Sequence, residues 1–366
     1  MEFHRSTSES IGLEIEFQIV DPHTLDLTDG IVPLLDACEN DRQIKAEFFQ
    51  STVEIASSVC QTIAELDGDI RRHFDYLSQR SDLLDLYLCA AGTHPFFDRL
   101  AHVTPAPRFH RMEAAAGYLA HYDVTFATHV HVGVETRREL VSLTRDFRAL
   151  LPVLIALSAN SPFWRGHWTG YASFRHIALA MGRTYGLPPG FDSWEGLEQF
   201  FDRARRAGVA ESPRDVHWEV RPRPDLGTVE VRTMDALSTL AESVGFAALI
   251  RALADYYRQT ATGERSDRLP TRLPWWVARE NLFQAARAGL EANYVDDRGE
   301  ARPLGELVGR TLQVARPLAE QRGEAEYLQP VERLLDYPGY RRQVDIFEET
   351  DSLRAVTEHL TQVVGH

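Results

Sequence analysis

Lysine is almost absent from this sequence of 366 residues, in which lysine and arginine together number 39. Lys45 is the one lysine, so nearly all positive charge is arginine, and Schiff-base chemistry would depend on that residue alone. A P-loop of the GxxxxGK[ST] type is therefore missing as well. Any phosphate that this chain handles is expected to be bound by arginine side chains and metal ions.

Cysteine is also scarce, with residues only at positions 38, 60 and 89. Three scattered thiols are too few for a disulfide framework or a thiolate metal site, so we expect buried thiols in a reducing cytoplasm. The sequence has no apolar run long enough to cross a bilayer and no apolar signal core in its first residues, MEFHRSTSES. The formal net charge of -15 argues against nucleic acid or an anionic membrane as a partner. We therefore expect a cytoplasmic protein.

The order of predicted elements favours an α+β fold. Alternating or apolar stretches predict strands in residues 11–20, 44–57, 128–135 and 216–236. Helical spacing predicts helices in residues 61–90, 137–160 and most of the chain after 238, with loops at 94–112 and 262–276. These elements lack the regular rhythm of a parallel βαβ sheet, and no repeat or linker divides them. Residues 1–366 are therefore expected to form a single domain.

The first predicted strand, IGLEIEFQIVD at residues 11–21, places two carboxylates in an apolar run. Residues two apart on a strand share a face, so Glu14 and Glu16 project together while Ile15 and Phe17 point to the core. Two neighbouring carboxylates stay ionised together only if water or cations neutralise them. The strand either turns a charged face to solvent or holds a cation.

Other predicted strands repeat this arrangement of an apolar side backed by charged or ligating groups. The residues concerned are Glu47, Glu54, His129, His131, Glu230 and Arg232. Singly, they fit solvated charges, histidines at the rim of the core, or a surface ion pair. Together they predict a sheet with a polar binding face. Carboxylate oxygens favour Mg²⁺ or Mn²⁺, whereas the HxH pair allows zinc; the surplus of glutamate over histidine favours the harder metal.

Several motifs carry a resemblance to a known family. They are GLEIEFQIVDPHTLDL, VEIAS, GTHPF, HVHVGV, LSANSPF and HWEVRPRPDLGTVEVRTMD. Over residues 10–360 the chain resembles the second family of glutamate–cysteine ligases, whose bacterial members are also described as carboxylate–amine ligases. The resemblance implies a glutamine synthetase-like fold: a curved, mainly antiparallel sheet with the active site on its concave face and helices on its convex side.

The resemblance also implies a reaction. ATP would phosphorylate a carboxylate, most simply the γ-carboxylate of glutamate, and cysteine or another amine would attack the acyl phosphate to give an amide. The implied cofactors are ATP and Mg²⁺, with Mn²⁺ as an alternative. The implied partners are small molecules, such as an amino acid or short peptide, with no nucleic acid and no membrane. A homodimer stays open.

Site residues are carried over from the family by motif. The implied metal ligands are Glu14, Glu16, Glu47, Glu54, His131 and Glu230. The implied catalytic residues are Arg232, which would hold the transferring phosphoryl group, Glu54 and Arg221. Arg223 and His131 would join Arg232 at the nucleotide, and the substrate would contact Arg175, His129 and Trp218. For Arg221 and Arg223, a solvated pair flanking prolines is the alternative.

The chain departs from the family at Gln50, where close relatives often carry an acid, so Gln50 is not in the metal set. The run Phe174, Arg175 and His176 replaces more polar residues, which leaves the acid substrate open. Two other classes also stay open. One is a metal amidohydrolase, suggested by the HxH pair, and the other is a non-catalytic relative that binds ATP or an amino acid.

Overall fold

The computed structural model describes residues 1–39, 41–263 and 269–366. Its strands are β1 (Ile11–Val20), β2 (Ile44–Ala46), β3 (Thr52–Ala56), β4 (Tyr87–Cys89), β5 (Ala127–Gly133), β6 (Phe163–Trp164), β7 (His167–Trp168), β8 (Tyr185–Gly186), β9 (His217–Trp218), β10 (Val220–Arg223), β11 (Thr228–Asp235), β12 (Asn293–Val295) and β13 (Ala301–Pro303). Its α-helices are α1 (Ile31–Ala37), α2 (Ile63–Leu83), α3 (Pro107–Ala116), α4 (Leu119–Tyr122), α5 (Arg137–Phe147), α6 (Leu151–Ser158), α7 (Phe174–Leu179), α8 (Trp194–Arg206), α9 (Leu240–Thr262), α10 (Trp275–Ala288), α11 (Leu304–Gln321), α12 (Gln329–Arg333), α13 (Gly339–Thr350) and α14 (Leu353–Val363).

The main sheet has seven strands in the order β10-β11-β5-β1-β3-β2, with β4 paired to the end of β1. All of its pairings are antiparallel. Central strand β1 therefore contacts β5 on one side and β3 on the other. Three small two-stranded sheets, β6–β7, β8–β9 and β12–β13, lie outside it.

The core lies on one face of this sheet. Ile11, Leu13, Ile15 and Phe17 of β1 are fully buried there, as the alternation of the sequence predicts. The Phe17 ring packs 5.4 Å from that of Phe74 on α2, measured between centroids. Helices α2 and α9 both contact β1, so they cover the apolar face. Burial of each large aliphatic side chain contributes about 1.5–3 kcal/mol.

Three helices that pack near the sheet begin in the same way. Each starts at a threonine whose side-chain oxygen accepts the backbone N–H of a glutamate three residues later, a cap worth about 1 kcal/mol. The pairs are Thr62 with Glu65 in α2, Thr136 with Glu139 in α5, and Thr239 with Glu242 in α9. These caps fix where each helix begins relative to the strand before it.

The mixed helices and antiparallel sheet confirm the predicted α+β class. They also exclude the metal amidohydrolase alternative, because that class places its HxH pair in a barrel of parallel strands. The predicted helix over 137–160 is two helices, α5 and α6. Pro152, in the first turn of α6, cannot donate a backbone hydrogen bond and clashes with the carbonyl four residues earlier, so the helix breaks before it.

Two other predictions need correction, and a third is only partly covered by the described residues. The predicted helix over 61–90 ends at Leu83 and is followed by β4, because Asp85 adopts a left-handed backbone conformation (φ 53°). The predicted loop over 94–112 contains the start of α3. Residues 264–268 of the predicted loop at 262–276 lie outside the described residues. Across the described ranges, every helix is too short or too polar to cross a membrane.

Candidate active site

The polar face of the sheet brings the predicted carboxylates and histidines together by strand register. Glu14 of β1 lies opposite His129 of β5, and Glu230 of β11 lies opposite His131. On the other side of β1, Glu16 lies opposite Glu54 of β3. Directly opposed residues have Cβ atoms about 4.5–5.5 Å apart, so these side chains share one site.

Four glutamates form what we call the carboxylate cluster: Glu14, Glu16, Glu47 and Glu54. Glu16 accepts a hydrogen bond from the backbone N–H of Ala127 at 2.8 Å. Burial, with a contribution from the charge of Glu47, raises the pKa of Glu16 to about 8. Burial and the charges of Glu14 and Glu47 hold the pKa of Glu54 well above its ordinary value. The cluster therefore contains more buried negative charge than the surrounding protein neutralises.

Lys45 is the positively charged residue on the outer side of the carboxylate cluster. It lies opposite Glu54 in the β2–β3 pairing, and its Nζ is 3.5 Å from Glu54 Oε1. Its side chain is 45% exposed, so water screens much of its charge. Lys45 and the nearby charges of Arg175 and Arg232 still leave the pKa values of Glu16 and Glu54 raised, so the cluster requires protons or cations.

Glu14 is held by both histidines of the HVH motif. His129 Nδ1 lies 3.3 Å from Glu14 Oε2, and His131 Nε2 lies 3.5 Å from Glu14 Oε1. Burial opposes ionisation of Glu14, but the charge of His131 and the hydrogen bond with His129 hold its pKa well below the ordinary value. Burial and the positive charge of Arg232 lower the pKa of His129 to about 4. His129 is therefore neutral at physiological pH, the form that coordinates metals.

In the part of the chain that the structure describes, two groups of side chains could each hold a cation. Glu14, His131 and Glu230 place one ligand atom each within 4.8 Å of the others, and so do Glu14, Glu54 and His129. Among the described residues, Nε2 of His129 is a buried atom without a hydrogen-bond partner. An orphaned imidazole nitrogen beside uncompensated carboxylates fits a divalent cation, and the oxygen-rich set fits Mg²⁺ or Mn²⁺.

Glu230 has the opposite environment, which we call the arginine fork: Glu230 with Arg221, Arg223 and Arg232. Arg221 donates to both carboxylate oxygens of Glu230, at 2.8 and 2.9 Å, and Arg232 donates a further bond. Arg223 Nη1 lies 3.4 Å from Glu230 Oε2. Burial opposes ionisation, but the charges of Arg221 and Arg232 hold the pKa of Glu230 well below its ordinary value. Glu230 is therefore a buried, fully compensated anion.

The fork also accounts for the other contacts of Arg221 and Arg223. Arg221 donates from Nη1 to the carbonyl of Val216 at 2.9 Å. Arg223 donates two bonds of 3.0 Å to Asp225, one from Nε and one from Nη2. Both arginines are at most slightly exposed, so the alternative of a solvated pair is wrong. Arg232 of the fork also borders His129 and the carboxylate cluster.

Arg175 enters the site from α7. Its Nη1 and Nη2 atoms donate to the carbonyls of Thr233 and Arg232, at 3.3 and 3.2 Å. Its charge acts on Glu16, which places the guanidinium beside the carboxylate cluster. Trp218 is elsewhere: its ring packs against Phe191 and two phenylalanines of α8, with centroids 5.3–5.9 Å apart. The structure therefore places Trp218 in the core and gives no support to a substrate contact.

Sequence reasoning missed several residues that border the site. Buried Glu219 lies 3.2 Å from His176 Nδ1, and the charges of His176 and Arg175 overcome the cost of burial and lower its pKa to about 2. The Tyr185 ring stacks on His217 at 4.7 Å between centroids. Burial raises the pKa of the Tyr185 hydroxyl, and the positive charge of Arg232 offsets part of this rise. The WEV run before the arginines signals Glu219, but nothing in the sequence marks Tyr185.

Comparisons with known proteins agree with this geometry. Residues 10–359 match the model of glutamate-cysteine ligase family 2. A protein of Trichormus variabilis with the provisional name glutamate–cysteine ligase 2 is 43% identical over 363 residues, covering 98% of this chain and 94% of that protein. A similarly named protein of Thermobifida fusca is 34% identical, covering 99% of this chain and 92% of the relative.

Solved structures show the same fold at low identity. A glutamate–cysteine ligase of Francisella tularensis, solved with AMP, has a TM-score of 0.69 at 12% identity and covers 98% of this chain and 89% of its own. A bifunctional glutathione synthetase of Pasteurella multocida has a TM-score of 0.70 at 13% identity, covering 97% of this chain and 52% of that one. Together the comparisons confirm the predicted resemblance, the fold class and the enzyme class, a carbon–nitrogen ligase of the glutamate–cysteine type.

Proposed function

Because the chain belongs to glutamate-cysteine ligase family 2, we propose that it joins a carboxylate to an amine at the expense of ATP. The acid is activated as an acyl phosphate, and the amine displaces the phosphate to form an amide. Glutamate, reacting at its γ-carboxylate, is the proposed acid, and cysteine or another amine is the proposed nucleophile. Residues 1–366 act as one catalytic domain.

One observation carries this proposal. The carboxylate cluster lies directly beside the guanidinium of Arg232, whose charge acts on both Glu16 and Glu47. Phosphoryl transfer requires little covalent chemistry from the protein; it requires positioning and the stabilisation of developing negative charge. A set of cation-binding carboxylates next to a buried arginine supplies both.

The group of Glu14, Glu54 and His129 would hold a divalent cation. Glu14, His131 and Glu230 form a second possible group, in which Glu230 is already neutralised by arginines. A cation such as Mg²⁺ would supply positive charge that neutralises the phosphates of ATP. The buried carboxylates would release their protons when the cation binds, because only the ionised form is a good ligand.

The arginines have separate tasks in this proposal. Arg232 holds the phosphoryl group as it moves from ATP to the acid, and Glu230 keeps its guanidinium fixed in place. Arg175 faces Glu16 from α7 and contacts the carboxylate of the acid substrate. Arg221 and Arg223 support Glu230 and Asp225, so their part in catalysis is to shape the fork.

The function is tested by ADP release from ATP and Mg²⁺, with glutamate present and a panel of amines added singly. We expect ADP formation that depends on both acid and amine, with a stoichiometric amide product identified by mass spectrometry. Exposed Glu349→Gln is a control that should leave the rate unchanged. If the protein binds ATP but no combination of carboxylates and amines releases ADP, the chain is a non-catalytic binding relative and the proposal is overturned.

A further inference from the structure

A buried polar network closes the end of β11 next to Arg175. Asp235, the last residue of that strand, is completely buried and accepts three hydrogen bonds. Its Oδ2 accepts from the backbone N–H of Asn160 at 2.8 Å and from the hydroxyl of Ser161 at 2.6 Å. Its Oδ1 accepts from the hydroxyl of Ser173 at 2.8 Å. One carboxylate therefore ties together two chain segments that are distant from it in sequence.

The same network continues to the backbone of Arg175. The hydroxyl of Ser161 donates to Asp235 and also accepts the N–H of Arg175, at 3.1 Å. Ser173 occupies the position before the first residue of α7, yet its side chain makes no helix cap and bonds to Asp235 instead. The start of α7 is thus attached to Asp235 through two serines.

The side chain of Arg175 is held by the same strand as its backbone. Its guanidinium donates to the carbonyls of Arg232 and Thr233, which lie three and two residues before Asp235. The negative charge of Asp235 also acts on Arg175. Both the backbone and the side chain of Arg175 are therefore held by the final residues of β11, which fixes the position of Arg175 relative to Arg232.

Little space is left for this network to shift. A Cβ atom on Gly92 would lie 2.5 Å from Asp235 Cγ, so only glycine at position 92 leaves room for the carboxylate of Asp235. Gly92 itself donates to the carbonyl of Asn160 at 3.1 Å. From the C-terminal helices, Gln343 donates to both oxygens of Asn160, at 2.8 and 2.9 Å. Gly92 and Gln343 therefore both border the network and bond to it.

We propose that Asp235 is a positioning residue that acts through Ser161 to hold Arg175 at the carboxylate of the acid substrate. Asp235 itself is too deeply buried to touch that substrate. The inference rests on the proposed function, in which Arg175 contacts the acid, and it assigns the placement of that arginine to a carboxylate outside the metal and nucleotide residues.

The test uses Asp235→Asn, Ser161→Ala and Arg175→Ala in the full chain, singly and combined, with initial rates of amine-dependent ADP release. We expect each of the first two changes to raise the KM for glutamate about tenfold, or 1.4 kcal/mol. The KM for ATP should stay within twofold. In an Arg175→Ala background, neither change should raise the KM for glutamate further, because residues that act as a unit are not additive.

Ser243→Ala is the matched control, since this serine is equally buried and its hydroxyl donates to the carbonyl of Thr239 at the start of its own helix. If Asp235→Asn fails to fold, Ser161→Ala carries the test. Effects that add fully to Arg175→Ala, or that raise both KM values alike, would show a merely structural role and overturn the inference. If Arg175→Ala raises the KM for glutamate while the network variants do not, the inference fails and the proposed function stands. An unchanged KM in Arg175→Ala overturns the proposed role of Arg175 and this inference with it.

Discussion

Glu54 and Glu230 are buried glutamates on the same face of one sheet, yet their surroundings have opposite charge. Glu230 is surrounded by three arginines, and every oxygen of its carboxylate accepts a hydrogen bond. Glu54 has three other carboxylates around it and one half-exposed lysine at 3.5 Å. The pKa values follow: that of Glu230 is held well below the ordinary value, and that of Glu54 well above it.

The contrast separates a structural charge from a binding charge. A buried carboxylate that the protein itself neutralises is stable without a ligand, whereas crowded carboxylates with too few protein cations are stable only with protons or bound metal. The carboxylate cluster is therefore the half of the site that is completed by something from solution. The charges of the arginine fork are already balanced in the folded chain, and the fork holds Arg232 beside the carboxylate cluster.

The largest expected effect comes from removing the charge of Glu230. Glu230→Gln leaves three buried or mostly buried arginines without their common anion, so we expect the free energy of unfolding to fall by about 3–5 kcal/mol and turnover to be lost. Glu54→Gln is the matched control, the same substitution on the same face. It should leave the metal-free protein as stable as before or more stable. Urea titrations in the presence of a chelator measure both, and equal destabilisation would contradict the division of the site into two halves.

Arg232→Ala should have the next largest effect, on the rate. Arg232 lies where the arginine fork borders the carboxylate cluster. Its loss removes the guanidinium that stabilises the negative charge developing in the transition state, so we expect kcat to fall about 10²–10³-fold. The KM for ATP should change much less. Arg214→Ala, which removes an exposed partner of Asp225, is the control. A KM effect larger than the kcat effect would place Arg232 in ground-state binding instead of phosphoryl transfer.

Per pH unit, the smallest expected effect is the dependence of stability on pH and metal. Glu16 has its pKa raised to about 8 in the folded chain, so at pH 6 the folded state binds a proton that the unfolded state has released. Metal-free protein should therefore lose stability as pH rises from about 4.5 through about 8, by at most about 1.4 kcal/mol per pH unit for this proton.

Saturation with Mg²⁺ should cancel this slope, because the cation takes the place of the proton. At a concentration 100 times its Kd, the cation should add about 2.7 kcal/mol to the free energy of unfolding. Thermal unfolding at several pH values, with chelator or with Mg²⁺, measures both effects. In Glu16→Gln the slope of the metal-free protein should become shallower; a slope that does not respond to Mg²⁺ would count against a metal in the cluster.

Much of the polar face was predictable from the sequence because strand alternation assigns faces without knowledge of the fold. Glu14 and Glu16, His129 and His131, and Glu230 follow from spacing alone and meet through antiparallel register. Which of them is compensated was not predictable. Two of the arginines that neutralise Glu230, Arg221 and Arg223, lie across a turn on the neighbouring strand, and their partners depend on side-chain direction in three dimensions.

The residues that support the site were less predictable still. Asp235 ends a strand with a register irregularity between Val231 and Met234, so alternation no longer gives its face. Trp218 looks like a substrate contact in a conspicuous motif, but its direction depends on α8, which packs against it. Tertiary packing decides these positions, and a single sequence carries little of that information.

The single lysine has a practical consequence for fluorescence measurements on this protein. Apart from the terminal amine, Lys45 is the only primary amine in the chain, and it is partly exposed beside Glu54. Amine-reactive dyes would therefore label one side chain without any cysteine engineering. A fluorophore attached there would stand at the rim of the carboxylate cluster, where the arrival of a cation or a nucleotide changes the local field and hence the emission.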